Sequence, residues 1–143
     1  MNYKLAVSFL FGILLAAGVQ AQTREVQQEK LERYLKYAGD PIEQFNFWSM
    51  YKWSLVGPTK VVVWPNINEA YLLTVDEPCP GLEWAKGIGV TSKQSHTVSA
   101  RFDYVTYGKG QCQIKEIRPI DYKRMIKDGP EPKDGDGTQK KSG

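Results

Sequence analysis

Catalysis by a histidine base, a nucleophile triad or a closed zinc site would need more than this chain carries. His96 is its only histidine, and Cys79 and Cys112 are its only cysteines. His96 follows Ser92-Lys93-Gln94-Ser95, a run with the composition of an exposed turn, so a solvated loop position is expected for it. No Gly-x-Ser-x-Gly elbow is present. One histidine and two cysteines do not make a closed ligand set, so no metal and no cofactor is expected. Paired carboxylates could run a hydrolysis as general acid and base, and the chain offers Glu43, Glu69, Asp76, Glu77, Glu83, Asp103, Glu116 and Asp121. Spacing singles out no pair. Asp103, flanked by Phe102 and Tyr104, and Asp121, three residues after Arg118 across Pro119, are the two to watch. The ordinary use of such residues is an ion pair or a turn cap.

Aromatic rings are the other chemistry on offer. Trp48, Tyr51, Trp53, Trp64, Tyr71, Trp84, Phe102, Tyr104 and Tyr107 fall mostly in strand-like segments. An exposed row of rings could stack on sugar or base faces, whereas buried ones fill a core. Trp53, beside Lys52, and Trp84, between Glu83 and Lys86, are expected to be exposed and are the ligand-binding candidates. Basic residues gather late, at Lys115, Arg118, Lys123, Arg124 and Lys127, as a solvated face or a contact for anionic lipid or polysaccharide. Asp134-Gly135-Asp136-Gly137-Thr138 resembles the start of a calcium loop, but no glutamate follows at the twelfth position, so specific calcium binding is not expected.

Where these groups work follows from the first 21 residues. A positive start at Lys4, an apolar run from Leu5 to Ala17 and the ending Val19-Gln20-Ala21 make an export signal with cleavage before Gln22. The apolar run is about 13 residues where a membrane span needs about 20, and no later segment could span a bilayer. Export places the chain in the periplasm or outside the cell. There an isolated cysteine pair is oxidised, so a Cys79–Cys112 disulfide is expected, stabilising by roughly 3 to 4 kcal/mol in the chain-entropy model. A redox pair is disfavoured by the lack of a Cys-x-x-Cys motif.

Of the 143 residues, 22–127 are expected to form one disulfide-stapled domain and 128–143 a disordered polar tail with no large apolar residue. Roughly 100 ordered residues exclude a large two-layer cofactor fold. The full chain has net charge +3. Without Lys4 the mature chain keeps 18 basic against 16 acidic residues, a net +2 that makes nucleic acid an unlikely partner.

The elements that must position the candidates can be read from periodicity. Thr23 could cap a helix running to about Ala38, with Val26, Leu31, Tyr34, Leu35 and Ala38 at helical spacing. Tyr51, Trp53 and Leu55 alternate with polar residues, Lys60 to Trp64 is a β-branched run, and Ala70 to Asp76 makes a third strand, with turns at Gly57-Pro58 and Pro65-Asn66. A short helix carries Leu82, Ala85 and Ile88. Val98, Ala100, Phe102 and Tyr104 alternate as a fourth strand, Gly108-Lys109-Gly110 makes a hairpin, and Cys112 to Arg118 is the fifth. Asp121 could cap a last helix with Tyr122, Met125 and Ile126 on one face. The expected class is α+β: a small five-stranded antiparallel curved sheet or OB-like barrel, an N-terminal helix, a short helix between strands 3 and 4, and a short C-terminal helix.

Taken together, Ala70-Tyr71-Leu72-Leu73, Cys79-Pro80-Gly81-Leu82, Gly89-Val90-Thr91-Ser92, Arg101-Phe102-Asp103-Tyr104-Val105, Cys112-Gln113-Ile114 and Ile117-Arg118-Pro119-Ile120-Asp121 resemble a family of small exported Gram-negative bacterial proteins known only as a domain of unknown function. The resemblance spans about residues 33 to 125. It implies an exported location and a paired Cys79 and Cys112, and it carries no activity with it. The expected role is a non-catalytic module of the cell envelope whose partner is an envelope protein or glycan, the alternative being a small carboxylate-dependent hydrolase of envelope glycan or peptide.

Overall fold

The computed structural model describes residues 16–130 and 139–140. Residues 1–15, which hold most of the expected export signal, and the calcium-like run at 134–138 lie outside the described residues, as does most of the polar tail.

The order is α1 (Ala16–Lys36), β1 (Gln44–Asn46), β2 (Lys52–Gly57), β3 (Lys60–Asn66), β4 (Glu69–Val75), a 3-10 turn (Leu82–Trp84), β5 (Gly89–Val90), β6 (Thr97–Ser99), β7 (Tyr104–Tyr107), β8 (Gly110–Ile120), α2 (Tyr122–Asp128) and β9 (Gln139–Lys140). The antiparallel meander β2-β3-β4 and the β7-β8 hairpin are those expected from periodicity. The full sheet runs β5-β7-β8-β4-β3-β2-β9, and β1 pairs with β6 in a separate two-stranded ribbon. The fold is α+β with a curled antiparallel sheet. Of the two expected forms, a five-stranded curved sheet or an OB-like barrel, the curled sheet is the one present, as a half-barrel with a different strand count.

The curl is set by β8. Its first residues, 110–113, pair with β7, and its remainder, 114–120, pairs with β4. One strand serving two partners in succession staggers the sheet, and the irregularity between Thr74 and Val75 adds local twist.

Both faces of this sheet are covered. On one face Trp53, Leu55, Val61, Val63, Leu73, Ile114 and Ile117 meet Leu82 of the 3-10 turn and Phe45 and Val98 of the ribbon. On the other, Val56, Val62, Trp64 and Leu72 meet Tyr34 of α1, Tyr37 in the turn just after it, and Met125 of α2. The β-branched run Val61-Val62-Val63 therefore alternates between two cores and is buried throughout. A strand covered on both faces reads as a continuous apolar run instead of an alternating one.

Three local expectations change. The helix α1 begins before Thr23 and ends at Lys36, short of Ala38, and it buries Lys30 and Tyr34, while Val26 and Leu35 are exposed. The fourth strand does not run from Val98 to Tyr104: it stops at Ser99, and β7 begins at Tyr104. Between them Arg101 takes a positive φ of 69°, for the reason given below. In α2, Asp121 caps as expected and Met125 is buried, but Ile126 faces solvent.

Candidate binding site

Asp103 is 1% exposed, and the carboxylate partners it has among the described residues are backbone N–H groups and a hydroxyl. Its Oδ1 accepts from Thr91 Oγ1 at 2.8 Å and from Lys93 N at 3.0 Å, and its Oδ2 accepts from Ser99 N at 2.8 Å. A carboxylate has about four acceptor sites, and these three donors fill most of them. The side chain thus ties the start of the 91–93 segment to the end of β6. That pull breaks the expected strand and forces the turn at Arg101.

The loop held in this way is 92–97. Thr97 N donates to Ser92 Oγ at 2.9 Å, and Ser92 Oγ shares its proton between Gln94 O and Thr97 O, at 2.7 and 2.8 Å. His96 sits at its tip with φ of 57°, and its carbonyl accepts from Phe47 N at 2.8 Å. The imidazole stacks on Trp48 with ring centroids 3.5 Å apart and planes 13° from parallel. Trp48 is nonetheless 74% exposed. The lone histidine is exposed, as expected, but it is engaged with a tryptophan.

The ribbon beneath this pair has two different faces. Phe45 opposite Val98 points inward, and Phe45 stacks on Tyr71 with centroids 4.1 Å apart. Gln44 opposite Ser99 and Asn46 opposite Thr97 take the other face by strand alternation. All four outward side chains are uncharged hydrogen-bonding groups.

Of the residues singled out from sequence, Trp84 is exposed as expected, at 72%. Trp53 is not: it is 5% exposed, packed on the same side of β2 as Leu55. Its neighbour Lys52 lies over the Trp64 ring, 4.4 Å from the centroid. Phe102, at the tip of the Arg101 turn, is exposed.

Asp121 is the N-cap of α2, its Oδ1 accepting from Arg124 N at 3.2 Å. It does not meet Asp103. Ile114 N donates to Asp103 O at 2.9 Å, and Asp121 lies seven residues further along from Ile114, which at strand rise puts the two carboxyls about 20 Å apart. Catalytic carboxylate pairs stand roughly 5 to 9.5 Å apart. The residue facing Asp121 is Glu69, since Ala70 is opposite Ile120. Glu69, Asp121, Tyr71 and Lys123 line a shallow groove of about 140 Å³. Burial, and after it the Glu69 charge, raises the Tyr71 pKa above its ordinary value. On the other side of the Pro119–Asp121 ridge a wider groove of about 350 Å³ is lined by Lys36, Tyr37, Gly39 and Arg124. Of the late basic cluster, Arg118 pairs with Glu116 at 2.7 Å.

Cys79 and Cys112 are joined, with Cα atoms 5.9 Å apart. The Tyr107 hydroxyl lies 3.3 Å from Cys79 Sγ and donates to Pro80 O at 2.8 Å. The bridge and this ring bind the Pro78–Gly81 turn to the β7-β8 hairpin. Among the described residues no group of three His, Cys, Asp or Glu could hold a metal ion, and no helix is long and apolar enough to cross a membrane.

The sequence places Trp48 among the rings able to stack without singling it out, and it gives no pointer to Gln44, Asn46, Thr97 or Ser99. The alternation Gln44-Phe45-Asn46-Phe47 was a signal for a short strand, hidden by its length.

A small α+β domain with a half-barrel sheet, one disulfide and an aromatic pair on a polar ribbon is the class defined by these features. The chain belongs to a family of unknown function, DUF6491, whose model matches residues 1–131. Comparison with curated proteins finds no match, and neither does comparison with solved structures.

Proposed function

We propose that the mature chain, residues 22–127 with its polar tail, is an exported module of the cell envelope that works by binding and not by catalysis. The export-type segment at 1–21 and the Cys79–Cys112 bridge support the oxidising compartment. The observation that carries the binding role is Trp48, held flat against His96 yet 74% exposed. Placing a large ring in water has no benefit to folding, and pinning it in one orientation suits a partner. Both watched carboxylates support the same reading, because Asp103 is consumed by backbone and hydroxyl donors and Asp121 by a helix cap.

A photoreactive phenylalanine derivative at position 48, which keeps an aromatic ring there, expressed in cells with the native leader, tests this. The expected result is an adduct with an envelope component that is absent when the probe sits at Lys109 in the hairpin turn. Equal labelling from both positions, or none from either, removes the binding role. The same cells report location: the processed chain should begin at Gln22, fractionate outside the cytoplasm and carry no free thiol.

The hydrolase alternative moves from Asp103 and Asp121 to the facing pair Glu69 and Asp121, because these two line one groove with Tyr71 and Lys123. Hydrolysis of an envelope glycan or peptide that survives Glu69→Gln with Asp121→Asn excludes that pair.

A further inference from the structure

We propose that the outer face of the β1-β6 ribbon, with Trp48 at its end, is a binding site for uncharged sugar rings of a glycan. This names the ligand class of the binding role above and rests on it. The ribbon register places Gln44 beside Ser99 and Asn46 beside Thr97. With strands about 4.8 Å apart and alternate residues about 7 Å apart, these four side chains cover about the footprint of one pyranose ring. Two amides and two hydroxyls supply both donors and acceptors and no charge. Gln44, Asn46 and Ser99 spend none of their side-chain groups on another described residue, and Thr97 Oγ1 makes only a long contact of 3.4 Å to Ser95 O.

Trp48 lies two residues beyond Asn46, about 7 Å further along the chain direction, so its ring is set to stack on a neighbouring sugar of the same glycan. One face of the indole is occupied by His96 at 3.5 Å, which leaves the other for a ligand. The support is rigid. Phe45 and Val98 anchor the ribbon from beneath, Phe47 N holds His96 O, and Asp103 fixes the end of β6 through Ser99 N. A site ordered before binding loses little entropy when it is filled.

The absence of charge on the array selects the chemistry. A phosphate or acidic polysaccharide would need cations facing the ligand, and Lys93 of the adjoining loop directs its Nζ over the Tyr104 ring at 4.9 Å from the centroid. An apolar peptide would need an apolar cleft, and the four outward side chains are polar. Amide side chains pair well with the acetamido group of an N-acetylhexosamine, so a chito-oligosaccharide is the first probe.

The mature oxidised chain is titrated with chitotriose, maltotriose and cellotriose, following the Trp48 indole N–H resonance and the tryptophan emission. The expected result is a saturable shift of that resonance with at least one of the three. Trp48→Ala should weaken binding, read by emission or calorimetry, about tenfold or more, the loss of one stacked ring. Trp48→Phe should restore most of it, Asn46→Ala should weaken it, and Trp84→Ala should bind as the wild type does. An indole that none of the sugars moves, or binding lost equally in Trp84→Ala, overturns the proposal. If position 48 captures a protein in cells while no sugar moves the indole, the glycan falls and the binding role stands; if neither happens, both fall.

Discussion

Asp103 Oδ2 accepts from Ser99 N at 2.8 Å, across a turn that its own backbone closes by donating to Ser99 O at 3.0 Å. The same carboxylate collects Thr91 Oγ1 and Lys93 N on its other oxygen. Replacing it strands three partly buried donors at once. Asp103→Ala should cost about 3 kcal/mol or more, and Asp103→Asn less but still more than 1 kcal/mol, since its amide nitrogen must face a donor. Denaturant unfolding measures this. The amide resonances of residues 91–99 should shift in the variant that still folds, and an unchanged 92–97 loop would refute the positioning role.

The two helices are tied by Tyr37, whose hydroxyl donates to Asp128 Oδ2 at 2.7 Å. That hydrogen bond first, then burial and the Asp128 charge, raise the Tyr37 pKa above its ordinary 10.0, against the opposing pull of Arg33 and Arg124. A phenol whose folded pKa is raised stabilises the fold fully below the unfolded pKa and loses that contribution as pH climbs through the folded one. Stability should therefore fall with pH above about 10, and Tyr37→Phe should show a shallower fall over that range. Tyr71, raised in the same direction, accounts for part of the remainder. Parallel urea titrations of the two proteins at a series of alkaline pH values would reveal an unchanged slope if the pairing were irrelevant.

Removing the disulfide releases the Pro78–Gly81 turn. The double variant Cys79→Ala, Cys112→Ala should lose roughly 3 to 4 kcal/mol, the loop-closure value for this spacing. For a domain of about 100 residues each kcal/mol corresponds to about 4 °C or more in Tm, so a drop above 10 °C is expected by calorimetry.

Leu82 and Trp84 share one 3-10 turn and should behave oppositely. Leu82 is 0% exposed and packs in the core beneath the ribbon, whereas Trp84 is 72% exposed. Leu82→Ala should cost about 2 to 5 kcal/mol. Trp84→Ala should stay within about 0.5 kcal/mol. A large loss at Trp84 would mean that its ring packs on something in solution.

Much of the fold was legible where the information is local. The run Lys60 to Trp64, the hairpin at Gly108-Lys109 and the Asp121 cap each depend on neighbours within a few residues, and each is where periodicity and turn chemistry put it. The α1 face departs from the expected stripe of Val26, Leu31, Tyr34, Leu35 and Ala38, because Val26 and Leu35 are exposed while Lys30 is buried. Tyr37 is buried by reaching Asp128 at the far end of the chain. Trp53 was judged by its neighbour Lys52, yet in a strand adjacent side chains point to opposite faces.

What the chain determined by itself was its class, its staple and its stock of chemistry: alternating and β-branched strands, one cysteine pair, a lone histidine, and carboxylates without a set spacing. Which groups work together was decided only by tertiary contacts. Gln44 reaches Ser99, Trp48 reaches His96, and Asp103 draws in Thr91 because β1 and β6 pair across half the domain. Such pairings follow from how two cores close around one sheet, and no local preference of the residues concerned encodes them.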